Sequence, residues 1–223
     1  MFGILFNFQG GTFKMKNIKV KVKGASNYGI LMNRFTALDA AKVAEGGGTV
    51  TMPGVKKGDS QGEAEAGCYR LAPVGKGKKK GNLYIPAENF RQALINGAAY
   101  EKGRGRSNLS KIASASIFVN PAALDLGTNE FSIDTRAVVN PFTKGRQVKN
   151  RAYLPEWEVE MILQFDEELV SEAQLRAIVD HTGGKVGVLD FRPAKKGPFG
   201  RFTVIGWEPV DEAGNPLAEE EAA

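Results

Sequence analysis

Apolar and polar positions alternate most strictly near the start of the chain, in KNIKVKVKG (Lys16–Gly24). Ile18, Val20 and Val22 fall on one side and Lys19, Lys21 and Lys23 on the other, which predicts a strand with a buried face and a lysine face. The same period returns in WEVEMILQF (Trp157–Phe165), with Trp157, Val159, Met161 and Leu163 inward and Glu156, Glu158 and Glu160 toward solvent. Two stretches carry the helical period instead. In LYIPAENFRQALINGAAYEKG, Pro86 stands at the helix entrance and Phe90, Ala93, Leu94 and Gly97 share a face. In SEAQLRAIVDHTGG, Ser171 and Gln174 form a capping box, Leu175, Ile178 and Val179 face inward, and Gly183 or Gly184 ends the helix.

Weaker patterns fill the gaps. KIASASIFV (Lys111–Val119), EFSIDTRAVVN (Glu130–Asn140), Val186–Asp190 and Phe202–Trp207 read as strands, the last two joined as a hairpin around RPAKKGPFGR. A short helix is predicted before Gly46–Gly48, and a strand at Ala66–Leu71 inside a Gly/Lys-rich stretch. Together they predict an α+β protein with a ferredoxin-like antiparallel sheet, helices on one face and long loop insertions. Residues 1–210 are expected to form one domain with a loop-rich insertion at about 46–81, followed by an acidic, disordered tail at 211–223.

Composition changes this picture in one respect. The 223 residues carry 30 Lys and Arg against 25 Asp and Glu, a net +5. The last thirteen residues hold five acids and no base, so the body before them has 30 bases against 20 acids, a net +10. A basic body points to a polyanionic partner. No run approaches the roughly 20 apolar residues of a membrane span. The apolar start lacks a basic leader and a cleavage site, so a cytoplasmic protein is expected. A single cysteine, Cys68, excludes an internal disulfide.

Catalytic chemistry is not legible. His181, the sole histidine, lies in the last turn of a helix, where it suits a capping role. Cys68 has no ligand-spaced neighbour and reads as a small core residue. GKGKKKG lacks the Ser/Thr and the preceding strand of a triphosphate loop. Neither enzyme activity, nor a metal, nor a cofactor is expected. The alternative of a metal-dependent nuclease would draw on the acids of Glu156–Glu168 or on Asp190.

The basic segments carry more. Lys78, Lys79 and Lys80 lie in GKGKKKG, and Lys102, Arg104 and Arg106 in KGRGRSNLSK. Lys144, Arg146, Lys149 and Arg151 lie in TKGRQVKNR, and Arg192, Lys195, Lys196 and Arg201 in RPAKKGPFGR. All are expected in loops, with Gly, Ser and Asn that let a phosphate approach the backbone. Phe142 and Phe199, among nearby aromatics, are candidates for stacking, and Phe199 and Phe202 are expected either to anchor the turn or to stack. Bases and rings together suit a single-stranded nucleic acid. The alternative is a non-catalytic interaction or structural protein, or a host-defence inhibitor, meeting an acidic protein.

Four stretches resemble a family of tailed-phage and prophage proteins: ILMNRF, IPAENFRQALINGAA, NRAYLPEWEVEMIL and VGVLDFRPAKKGPFGRF. The last is similar to a VGIGEWRPEKGG-FGRF signature, and Asn33 stands where histidine is common. This resemblance implies a protein of the infected or lysogenic bacterial cytoplasm. IPAENFRQAL also resembles the helix entrance of the RAMP proteins of CRISPR effector complexes, with Ala87 in place of glycine. That resemblance implies an RNA-recognition-type fold and copies assembled along one RNA strand. By the same analogy Lys144–Arg151 and Lys195–Arg201 would contact the strand.

Overall fold

The structure is a computed structural model and describes residues 15–25, 27–34, 58–75, 80–102, 109–139 and 144–217. The predicted short helix before Gly46–Gly48 lies outside the described residues.

Four strands make the main sheet: β1 (Met15–Gly24), β4 (Ile117–Asn120), β8 (Glu158–Asp166) and β9 (Phe202–Val210). Their spatial order is β4-β8-β1-β9, and every neighbouring pair is antiparallel. Helix α2 (Ala87–Gly97) lies between β1 and β4 in the chain, and α4 (Glu172–His181) between β8 and β9. The chain therefore runs strand–helix–strand–strand–helix–strand, with the third strand inserted beside the first. That is the ferredoxin-like arrangement, reached from strand order alone.

The alternation in the sequence builds this sheet. Ile18, Val20 and Val22 are at most 1% exposed, and Val159, Met161, Leu163 and Phe165 meet them across the register Ile18↔Leu163, Val20↔Met161 and Val22↔Val159. Phe90, Ala93 and Leu94 of α2 and Leu175, Ile178 and Val179 of α4 cover this face. The capping box at Ser171 is present in both directions, Gln174 N–H donating to Ser171 Oγ and Ser171 N–H to Gln174 Oε1. At the end of β1, a Cβ on Gly24 would stand 2.4 Å from Trp157 Nε1, so a glycine lets the indole lie against the strand.

A second, three-stranded sheet has the order β2-β7-β6, built from β2 (Ile30–Met32), β7 (Arg146–Leu154) and β6 (Ser132–Val139). β3 (Tyr84–Pro86) and β5 (Ala123–Asp125) pair separately. Helix α1 (Ser60–Ala66), capped by Asp59, lies against β7, and Glu63 accepts from Asn150 Nδ2 at 2.7 Å.

Three expectations are corrected. Lys111–Ser116 is not strand but the end of helix α3 (Leu109–Ser116), whose buried Leu109, Ala113 and Ser116 recur at helical spacing before β4 begins at Ile117. Ala66 ends a helix, and of Ala66–Leu71 only Arg70 makes a β-bridge, to Leu83. Val186–Asp190 is not a strand: α4 widens into a π-turn over Thr182–Val186, then Gly187, Leu189 and Phe191 take φ of 70°, 61° and 46°. Alternate left-handed residues cannot hold an extended ladder, and only Asp190 bridges, to Leu31. Beyond β9, Asp211–Leu217 form a turn in which Val210 bridges Pro216.

Candidate nucleic-acid interface

The stretch from Val188 to Gly200 folds as a braced knot. Val188 N–H donates to Gly200 O at 2.9 Å, Phe199 N–H to Phe191 O at 3.3 Å, and Gly197 N–H to Arg192 O at 3.0 Å. Pro193–Lys195 make one 3₁₀ turn, and Lys196 ends it at φ 61°. Gly200 at φ 73° could not carry a Cβ, which would stand 2.0 Å from Val188 O. Asp190 N–H donates to Leu31 O at 3.1 Å and Gly200 N–H to Gly29 O at 2.9 Å, so the knot is tied to the β2 edge of the second sheet.

One ring welds the knot to the β6–β7 hairpin. Phe199 is 3% exposed and packs edge-on against Tyr28 and Tyr153, each at 5.9 Å, with Phe191 at 6.0 Å. The Arg136 guanidinium lies 4.9 Å from its centroid and pairs with Asp134 at 2.7 Å, which raises its pKa. Arg136, Ala137, Val138, Arg151 and Phe191 enclose a cleft of about 340 Å³ between hairpin and knot.

The cations divide by whether a carboxylate answers them. The lysine face of β1 is answered: Lys19 pairs with Glu160 at 3.3 Å, and Lys21 and Lys23 with Glu158 at 3.1 and 3.2 Å. Lys149 pairs with Glu63 at 3.2 Å and Lys80 with Glu65 at 2.9 Å. Burial raises the Glu65 carboxyl, but its bonds to Arg70 and Lys80 outweigh that, and its pKa falls below the usual value. Arg151, at 8% exposure, stands 2.7 Å from Asp190 Oδ2, close enough to pair but without an aligned hydrogen bond. Arg192 donates to Leu189 O at 2.7 Å. In contrast, Lys102, Lys144, Arg146, Lys195, Lys196 and Arg201 are exposed and have no ion-pair partner among the described residues.

Two predicted contacts are therefore corrected. Phe199 presents no face to a base, because its ring is the joint of the site. Arg151 is a buried structural cation. Arg146–Arg151, expected in a loop, belongs to strand β7, and its alternation sets Arg146 with exposed Val139 and Val148, opposite the face on which Arg136 meets the knot. Lys102 lies beside the Glu101–His181 pair, whose 3.5 Å contact gives His181 a partner at the end of α4. Lys78, Lys79, Arg104, Arg106 and Phe142 lie outside the described residues. Arg136 and Tyr28 were missed by sequence reading. Arg136 sits in a strand rather than a Gly-rich loop, and the 47% exposed Tyr28 gains meaning only through its contact with Phe199.

Other chemistry is sparse. Among the described residues, no group of three or more His, Cys, Asp and Glu is placed to hold a metal ion, and no helix is long and apolar enough to cross a membrane.

No protein-family model matches the chain, and no curated protein does. Among solved structures, a chain from the cryo-EM structure of a Type III-B Cmr-beta complex bound to cognate target RNA aligns with a TM-score of 0.47 and 8% identity. The alignment covers 89% of this chain and 61% of that one.

Proposed function

We propose that the chain binds single-stranded nucleic acid, RNA or DNA, through the knot and the adjoining hairpin, with little base specificity and no catalysis. One observation carries this reading: the β1 lysines are neutralised by glutamates, whereas Lys144, Lys195, Lys196 and Arg201 are exposed and unanswered among the described residues. Unpaired surface cations contribute little to folding and remain available to phosphates. The half-exposed Tyr28 ring and the Phe191–Arg136 cleft offer flat surfaces on which bases stack. Successive copies would line up along one strand, each covering a few nucleotides.

The test is purification of the chain, extraction of bound polymer and digestion with RNase or DNase, followed by binding of labelled oligonucleotides. The triple change Lys195→Glu, Lys196→Glu and Arg201→Glu is expected to weaken binding at least tenfold, with the melting temperature nearly unchanged. Undiminished binding by a folded triple variant would defeat the assignment. Capture of an acidic protein with no affinity for oligonucleotides would favour a protein partner instead.

A further inference from the structure

Strand β6 (Ser132–Val139) is the outer strand of the second sheet. Its register with β7 runs unbroken from Ser132↔Tyr153 to Val139↔Arg146, and among the described residues no strand pairs with its other side. Alternate residues of such a strand aim N–H and C=O outward, a template for another chain. Edges are commonly guarded by proline, lysine or a bulge. SIDTRAVV has no proline and no lysine, and no bulge interrupts its pairing. Its side chains are largely exposed as well, Ile133 at 37% and Val139 at 60%. Its two charges, Asp134 and Arg136, pair with each other at 2.7 Å on the face where Arg136 meets the knot.

The order of these residues selects a partner. In an antiparallel pair, residues that aim their backbone outward stand opposite residues that do the same. A strand paired with its own copy about a two-fold axis is therefore centred on a residue, never between two. Centred on Asp134, the two aspartates oppose each other, and centred on Arg136 the two arginines do. Like charges directly opposite are destabilising. Centred on Thr135, each Asp134 stands opposite the partner's Arg136. The four charges then form a square, with unlike charges along its sides and like charges on its diagonals. On the other face Thr135 meets the partner's Thr135, and Ile133 meets the partner's Ala137.

We infer that β6 is a self-association edge: two copies pair antiparallel through it, centred on Thr135, into one sheet of order β2-β7-β6-β6-β7-β2. The two-fold axis stands perpendicular to that sheet, so the face bearing Arg136 and the knot is shared, and both knots lie on one side. The edge is independent of the nucleic-acid reading above.

The experiment is sedimentation equilibrium of nuclease-treated protein at moderate salt, with cysteine cross-linking as a second readout. The native chain is expected to dimerise as its concentration rises through about 10–100 μM. Asp134→Lys sets like charges opposite each other and should raise the dissociation constant at least about tenfold. Thr135→Cys should oxidise to a covalent dimer, because opposite Cα atoms stand about 4.5–5.5 Å apart, within disulfide reach. Ile133→Cys should not, since the two copies of that position lie about 14 Å apart along the ladder. The native Cys68 is buried and takes no part. The cysteine variants keep the test sound if Asp134→Lys fails to fold. A monomer at every concentration overturns the edge, as does a dimer that folded Asp134→Lys leaves equally tight. Cross-linking that is absent at Thr135→Cys, or equal at both positions, overturns it too.

Discussion

Cys68 and Phe199 show how the fold assigns work to single side chains. Cys68 is 6% exposed, and its Sγ–H donates to Ala64 O at 3.4 Å. Burial first, and the Glu65 carboxylate second, push the thiol up to about 12. Only thiolate attacks a disulfide reagent, so at pH 8 the folded protein should react far more slowly than the denatured chain. Equal rates in the two states would refute the buried assignment. Its composition as a lone cysteine pointed to this role, because no partner of ligand spacing accompanied it. Phe199 was legible as an aromatic of the basic knot that either anchors or stacks, and its 3% exposure decides for the anchor. Its neighbours Tyr28, Tyr153 and Arg136 come from distant segments, and their convergence is a tertiary fact.

The knot and the hairpin act as one element because that ring joins them. Removing it opens a cavity at the joint, so Phe199→Ala should cost about 3–5 kcal/mol of stability. Thermal or denaturant unfolding measures this directly, and a loss near zero would mean the ring is not a joint. Lys195→Glu, by contrast, should stay within about 0.5 kcal/mol, as exposed substitutions do. The regular elements were the easier part to foresee. β1, α2, β8 and α4 bury one face against the core, so their apolar period survives in the sequence. Half of the hairpin was harder to read: β6 was foreseen within Glu130–Asn140, but the outer part of β7 buries no side chain and so lacks the alternation that marks a half-buried strand. Val186–Asp190 failed for the opposite reason: its valines are buried beneath a helix end, and apolar residues there mimic a strand.

For the whole molecule, the balance of charge decides how binding responds to salt. If Lys144, Lys195, Lys196 and Arg201 each meet a phosphate, the logarithm of affinity should fall against that of salt with a slope of about −3. A titration from low to moderate salt measures it, and a flat response would contradict a phosphate-led interface. The β1 lysines should add nothing to that slope, because their charges are met by Glu158 and Glu160 on the adjacent strand. The sequence by itself determined the succession of elements in the ferredoxin-like plan, since β1, α2, β8 and α4 advertise their buried faces through period and cap. It also located the basic segments, since Lys and Arg beside Gly and Pro are local features. Only the tertiary structure decided which of those cations are answered. Register between β1 and β8, the pairing of Lys149 with Glu63, and the burial of Arg151 against Asp190 bring together residues up to 151 positions apart, as Met15 and Asp166 are. Net charge is a sum over the chain, whereas an available charge depends on what stands within a few ångströms of it.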